Sequence, residues 1–99
     1  MNTIKIPIKI PAATIDAITL NAVGDEILRA RSLHKPMNSA HEAYAVILEE
    51  VDELWDEVKK KRALRSKRAM REELIQIAAM AIRAVADLDL ATTEDTTNG

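Results

Sequence analysis

The 99-residue chain reads as an all-α protein, a helical bundle of about three main helices with a short extended N-terminal arm, completed by oligomerisation. Two stretches carry that reading. From Ala43 onward, apolar residues recur at Tyr44, Ile47, Leu48, Val51, Leu54, Trp55 and Val58, and steps of three and four draw a narrow seam along one helix. Residues 74–86, LIQIAAMAIRAVA, are apolar on nearly every face, with Gln76 and Arg83 as the only polar side chains, and a helix of that kind is a buried one. A chain this short has few elements with which to bury such a helix, so a homodimer or homotetramer is expected to complete the core.

In chain order, residues 1–11, MNTIKIPIKIP, alternate Ile4, Ile6, Ile8 and Ile10 with Lys5, Pro7 and Lys9, the period of an extended segment. Pro7 and Pro11 cannot donate to a ladder, which makes this an edge strand or an arm. Residues 12–90 form the single helical domain. Its first helix runs from about Ala12 to Leu33, with Ile15, Ile18, Val23, Ile27 and Ala30 inward and Asp25, Glu26, Arg29 and Arg31 mostly outward, although Gly24 argues against one continuous rod. His34 to Asn38 is a connection, because Pro36 disfavours a helical Lys35. Ser39 with Glu42 three residues on makes a capping-box pattern that opens the second helix. Residues 59–71, KKKRALRSKRAMR, carry eight basic residues and no acid, so a helix end, a connection and a third helix start fall here, with Ser66 as the candidate cap. The tail, residues 91–99, has neither period nor core residues and reads as disordered.

Composition narrows the chemistry. With no cysteine and only His34 and His41, disulfides, thiolate sites and a typical zinc site are excluded, and any metal would be held by carboxylate or amide oxygen. No basic leader and no long apolar run is present, so the chain reads as cytoplasmic with no membrane association. The formal net charge is only −2, but its distribution is uneven. Glu42, Glu49, Glu50, Asp52, Glu53, Asp56 and Glu57 crowd the second helix without a basic residue among them, and like charges three or four apart cost helix stability. Glu50 and Glu53, one turn apart beside the apolar seam, offer two hard oxygen ligands of the kind Mg²⁺ takes. On the third helix, Glu73, Gln76, Met80, Arg83 and Asp87 share one stripe. If the two helices pack antiparallel, Glu73 and Gln76 come opposite Glu50 and Glu53. An equally weighted reading is purely structural, with Arg83 pairing a carboxylate and Gln76 bonding a neighbour.

These residues resemble a known family. Glu49-Glu50-Val51-Asp52-Glu53-Leu54, and Glu73-Leu74-Ile75-Gln76 with nineteen residues between Glu53 and Glu73, look like the two metal-binding motifs of MazG-type all-α nucleoside triphosphate pyrophosphohydrolases. The family pattern is Glu-x-x-Glu on one helix and Glu-x-x-Asp on the next, and the likeness spans about residues 38–88, similar to small phage and bacterial members. The resemblance implies Mg²⁺-dependent cleavage of a nucleoside triphosphate substrate to the monophosphate and pyrophosphate, with Mn²⁺ as an alternative ion. It makes Glu50, Glu53 and Glu73 metal ligands, with Gln76 in the fourth position, where a neutral amide replaces the family's Asp. Glu49 and Glu53 are then the catalytic candidates, Glu49 as a further ligand or water-orienting base, against its reading as a solvated surface residue. Lys59, Arg62, Arg83 and Trp55 are candidates for substrate contact.

Two other classes stand beside this one. A non-catalytic helical interaction protein would keep the scaffold with a degenerate metal site. A nucleic-acid-binding protein would use the basic 59–71 segment, but that run lacks interleaved aromatics and a recognition motif, and reads better as a solvated connection that complements the negative end of the second helix. Trp55 and Tyr44 are expected in the core.

Overall fold

A computed structural model describes residues 10–95, and the architecture over that range is all-α: α1 (Ala12–Leu33), α2 (Ala40–Val58) and α3 (Lys67–Asp87). A single 3-10 turn, Arg62–Leu64, breaks the connection between α2 and α3. Most of the expected arm lies outside the described residues, as do residues 96–99, while residues 91–95 carry no helix. Among the described residues no helix is long and apolar enough to cross a membrane.

Local chemistry explains the boundaries. Ser39 Oγ accepts the backbone N–H of Glu42 at 3.1 Å, and the Glu42 carboxylate reaches back to the N–H of Asn38 at 3.0 Å, one residue before the usual capping-box partner. Ser66 caps α3 in the same way, accepting from Ala69 N–H at 3.0 Å. At its other end α3 closes with the N–H of Leu90 on the Val85 carbonyl at 2.8 Å and the N–H of Asp89 on Ala86 at 3.3 Å. Asp89 takes the left-handed conformation, φ 56°, where glycine is usual, a position its short polar side chain tolerates. α1 is one continuous helix through Gly24, and a β-carbon there would meet nothing within 4 Å. Gly24→Ala is therefore expected to stabilise the chain by about 0.5–1 kcal/mol, read as a rise in the thermal midpoint.

α3 is the element on which both others pack, while α1 and α2 scarcely touch each other. α2 runs antiparallel to α3, and α1 runs alongside α3 in the same direction, as the pairing of Arg31 with Asp87 at one end fixes. α1 joins the core through Val23 and Ala30 in its second half, which leaves Ile15 and Ile18 about half exposed, contrary to their expected inward place. The core is Val23, Ala30, Met37, Ala43, Ile75, Ala79, Met80 and Ala84. Four of these eight are alanine, which permits close helix approach but supplies little apolar area.

Two expectations of burial fail. Tyr44 and Trp55 are 69% and 59% exposed and do not join the core. With Leu48 and Val51 they form a stripe on the face of α2 turned from α3, because Ala43, Ile47 and Leu54 already take the inward positions. Nor is α3 buried all round: Leu74, Ile82 and Val85 stay exposed because a three-helix chain covers only part of its circumference.

Two buried carboxylates tie the elements together. Glu57 accepts from Ser66 N–H and from Lys60 Nζ at 2.7 Å, clamping the end of α2 to the start of α3. These donors hold its carboxyl below the usual range, Lys60 most of all. Asp87, its side chain 4% exposed, accepts Met37 N–H at 2.9 Å and Arg31 Nη1 at 2.8 Å. The Met37 N–H, then Arg31, lower its pKa. Asp87→Ala leaves that N–H without a partner, and a loss of about 1–3 kcal/mol is expected in denaturant unfolding.

Candidate metal and ligand site

Antiparallel packing of α2 and α3 brings Glu73 against Glu50 and Glu53, and one carboxylate oxygen from each lies within 4.8 Å of the others. Glu53 is exposed, whereas Glu50 and Glu73 are half-buried. Their Oε2 atoms are fully buried and accept no hydrogen bond from the described residues. Among the described residues no Lys or Arg forms an ion pair with any of the three, although Asp56 and Glu57 on the same helix pair with Lys59 and Lys60. Burial, then the adjoining Glu73 carboxyl and the nearby charge of Glu53, pushes the Glu50 carboxyl up to about 8. Glu73 is raised as well, chiefly by burial.

Such a cluster is costly without a cation. Its donors are hard carboxylate oxygens, which suit Mg²⁺ or Mn²⁺. Oxygens in an Mg²⁺ shell lie at most about 4.2 Å apart, twice the metal–oxygen distance, and three oxygens within 4.8 Å of one another are near that spacing. The two orphaned buried oxygens are the independent sign that the residues fit an ion.

Beside the cluster lies a cleft of about 300 Å³ between α1 and α2, floored by α3. It explains why α1 and α2 hardly meet. Glu49, Glu50, Gln76 and Arg83 all line it. Gln76 follows Glu73 by one turn and so faces the cleft next to the carboxylates. Arg83 is 3% exposed and, among the described residues, pairs with no carboxylate; Nη2 donates to the Lys35 carbonyl at 3.2 Å and Nη1 to Met80 Sδ at 3.4 Å, while Nε finds no partner there.

The remaining candidates lie apart. Lys59 is exposed and bonded to Asp56 at 3.0 Å, Arg62 sits exposed in the 3-10 turn, and Trp55 belongs to the outer stripe of α2; none lines this cleft. Part of the basic run is structural. Arg65 Nε donates to the Val58 and Lys60 carbonyls at 2.8 and 3.1 Å, satisfying the negative end of α2.

Comparison with protein-family models, with curated proteins and with solved structures gives no match. The chemistry of the site therefore rests on the residues themselves.

Sequence reasoning missed the cleft, to which α1 brings Glu26, Arg29 and Ala30 and the following connection brings His34, Lys35 and Met37. Only the amphipathic pattern of α1 hinted at them, since no local motif marks a wall made by a loop. It also missed Glu57 and Asp87 as tie points. Their signal was position, one in the last turn of each helix, beside a cap or a turn.

Proposed function

We propose that the chain is a Mg²⁺-dependent nucleoside triphosphate pyrophosphohydrolase, cleaving between the α- and β-phosphates. The observation that carries this reading is the convergence of Glu50, Glu53 and Glu73, with two buried oxygens unpaired and, among the described residues, no ion pair to any of the three. Mg²⁺ bound there would supply charge neutralisation of phosphate oxygens and acidify a water. Glu50, Glu53 and Glu73 would hold it, and Gln76, one turn beyond Glu73, would lend its carbonyl oxygen as the fourth ligand. Glu49, exposed at the edge of the cleft, would take a proton from the attacking water. Catalysis of this kind depends on positioning and needs no nucleophilic side chain.

The functional unit in this proposal is a homo-oligomer. The stripe of Tyr44, Leu48, Val51 and Trp55 on α2, with Leu74, Ile82 and Val85 on α3, is the apolar surface a second copy would cover. A second reading, a scaffold without catalysis, is favoured by one feature, the neutral Gln76.

Pyrophosphate release from a panel of canonical and modified nucleoside triphosphates, with Mg²⁺ or Mn²⁺, separates the two. Turnover with at least one substrate is expected, and Gln76→Asp should leave it equal or faster. Absence of turnover across the panel, together with absence of metal binding by calorimetry, overturns the enzyme reading in favour of the scaffold.

A further inference from the structure

The cleft holds a feature that the carboxylate cluster does not use. Arg83 rises from its floor on α3, 3% exposed, and among the described residues its Nε–H has no partner and no carboxylate pairs with it. A buried guanidinium that is neither ion-paired nor fully hydrogen-bonded is costly, and a ligand that accepts from it recovers that cost. Ala30, Val46 and Met80 supply apolar surface beside it, and about 300 Å³ lies at the lower end of ligand-pocket volumes. Glu50 belongs both to the carboxylate cluster and to the cleft wall, so the two sites are contiguous.

The occupant's charge follows from the walls. Glu26 is neutralised by Arg29, and Glu42 and Glu49 stand against Lys35 and Arg83, so a triphosphate lodged there would meet two carboxylates without a surplus of positive charge to offset them. A neutral, planar group with a strong acceptor meets no such repulsion. We propose that this cleft is the nucleobase pocket, and that Arg83 selects bases bearing a carbonyl oxygen. Guanine, uracil, thymine and cytosine offer one; adenine does not. The inference rests on the pyrophosphohydrolase reading, since the metal cluster next door is what would hold the phosphates.

A metal-free titration tests the pocket without any turnover. The intact protein, in chelator, is titrated with guanosine, uridine, cytidine and adenosine while the Arg83 Nε–H resonance is followed by NMR. The three carbonyl-bearing nucleosides are expected to shift that resonance and adenosine to bind about tenfold more weakly or worse, as for a site whose buried donor is left unpaired. Arg83→Met, similar in length and without the donor, should level the four affinities. Val46→Trp, which fills the cleft from α2, should weaken all four, so the test survives if the Arg83 variant does not fold. Equal or tighter binding of adenosine, no binding at millimolar concentration, or shifts confined to residues outside the cleft would overturn the proposal. Hydrolysis of ATP and GTP with equal kcat/KM would refute selection by Arg83 and leave the hydrolase reading standing. Selective nucleoside binding without pyrophosphate release would do the reverse.

Discussion

Glu53→Gln is expected to lower pyrophosphate release by about a hundredfold or more while shifting the thermal midpoint by no more than about 2 °C. The size follows from removing one charged ligand from a site that acts almost wholly through charge and positioning. The small structural effect follows from the exposure of Glu53, which has neither a hydrogen bond nor an ion pair among the described residues to lose. Glu50→Gln should be as damaging to turnover and yet make the metal-free protein more stable at pH 8.5, because it replaces a half-buried acid that resists ionisation with a neutral isostere. Opposite signs for activity and stability at one position are what a functional acidic cluster produces. A merely structural glutamate would lose both together. The checks are initial rates of pyrophosphate release and thermal unfolding on the same preparations.

The second large effect is on the dependence of stability on pH. In the unfolded chain Glu50 ionises near 4.5, whereas in the fold it holds its proton to about 8, burial being the main cause. Below pH 4.5 both states are protonated and the residue costs nothing. Between 4.5 and about 8 the unfolded chain gives up the proton while the folded chain keeps it, so stability falls as pH rises, and above 8 the full cost is present. Asp87, Glu57 and Glu26 work in the opposite sense, but their pKa values are lowered, so their contribution is lost only as pH falls below the ordinary carboxylate range. From pH 5 to 8.5 these three therefore offset nothing, and Glu73, raised like Glu50, acts in the same sense as Glu50. Allowing for the water that screens the cluster, the metal-free protein should lose about 1–2 kcal/mol across that window. That is a drop of roughly 5–10 °C in thermal midpoint for a domain of this size. Mg²⁺ should counter the trend, since binding requires ionised carboxylates and releases the proton. Its stabilisation should therefore be larger at pH 8.5 than at pH 5. A flat metal-free profile, or an Mg²⁺ effect independent of pH, contradicts this.

The three helices and both serine caps were legible because each rests on local chemistry. Ser39 and Ser66 bond the third N–H after them, and the seam through Ala43, Ile47 and Leu54 needs only the helical period. Even the meeting of Glu73 with Glu50 and Glu53 could be anticipated, because a short connection makes α2 and α3 antiparallel neighbours. Burial was harder to read. Trp55 and Tyr44 fit the seam by type but lie one position round from the residues that face α3, and spacing alone does not say which edge of a broad apolar stripe is covered. Ile15 and Ile18 stay exposed because only the second half of α1, through Val23 and Ala30, joins the core, which the helical period does not state. Arg83 shows the same limit on the polar side: its burial was foreseen, but its partner proved to be a loop carbonyl and not a carboxylate. The cleft depends on how α1 and α2 splay across α3, a relation between distant segments that no local pattern encodes.

The central claim is that Glu50, Glu53 and Glu73 form one divalent-cation site. It is tested most directly by titrating Mn²⁺ into the protein at pH 8 and following free Mn²⁺ by electron paramagnetic resonance, with and without a non-hydrolysable α,β-methylene nucleoside triphosphate. The account predicts saturable binding at the acidic cluster, weakened about tenfold or more by Glu50→Gln, by Glu53→Gln and by Glu73→Gln, and unaffected by Asp56→Asn at an exposed ion pair on the same helix. No saturable binding up to millimolar Mn²⁺ in the presence of the nucleotide, or binding that survives all three substitutions, would contradict it.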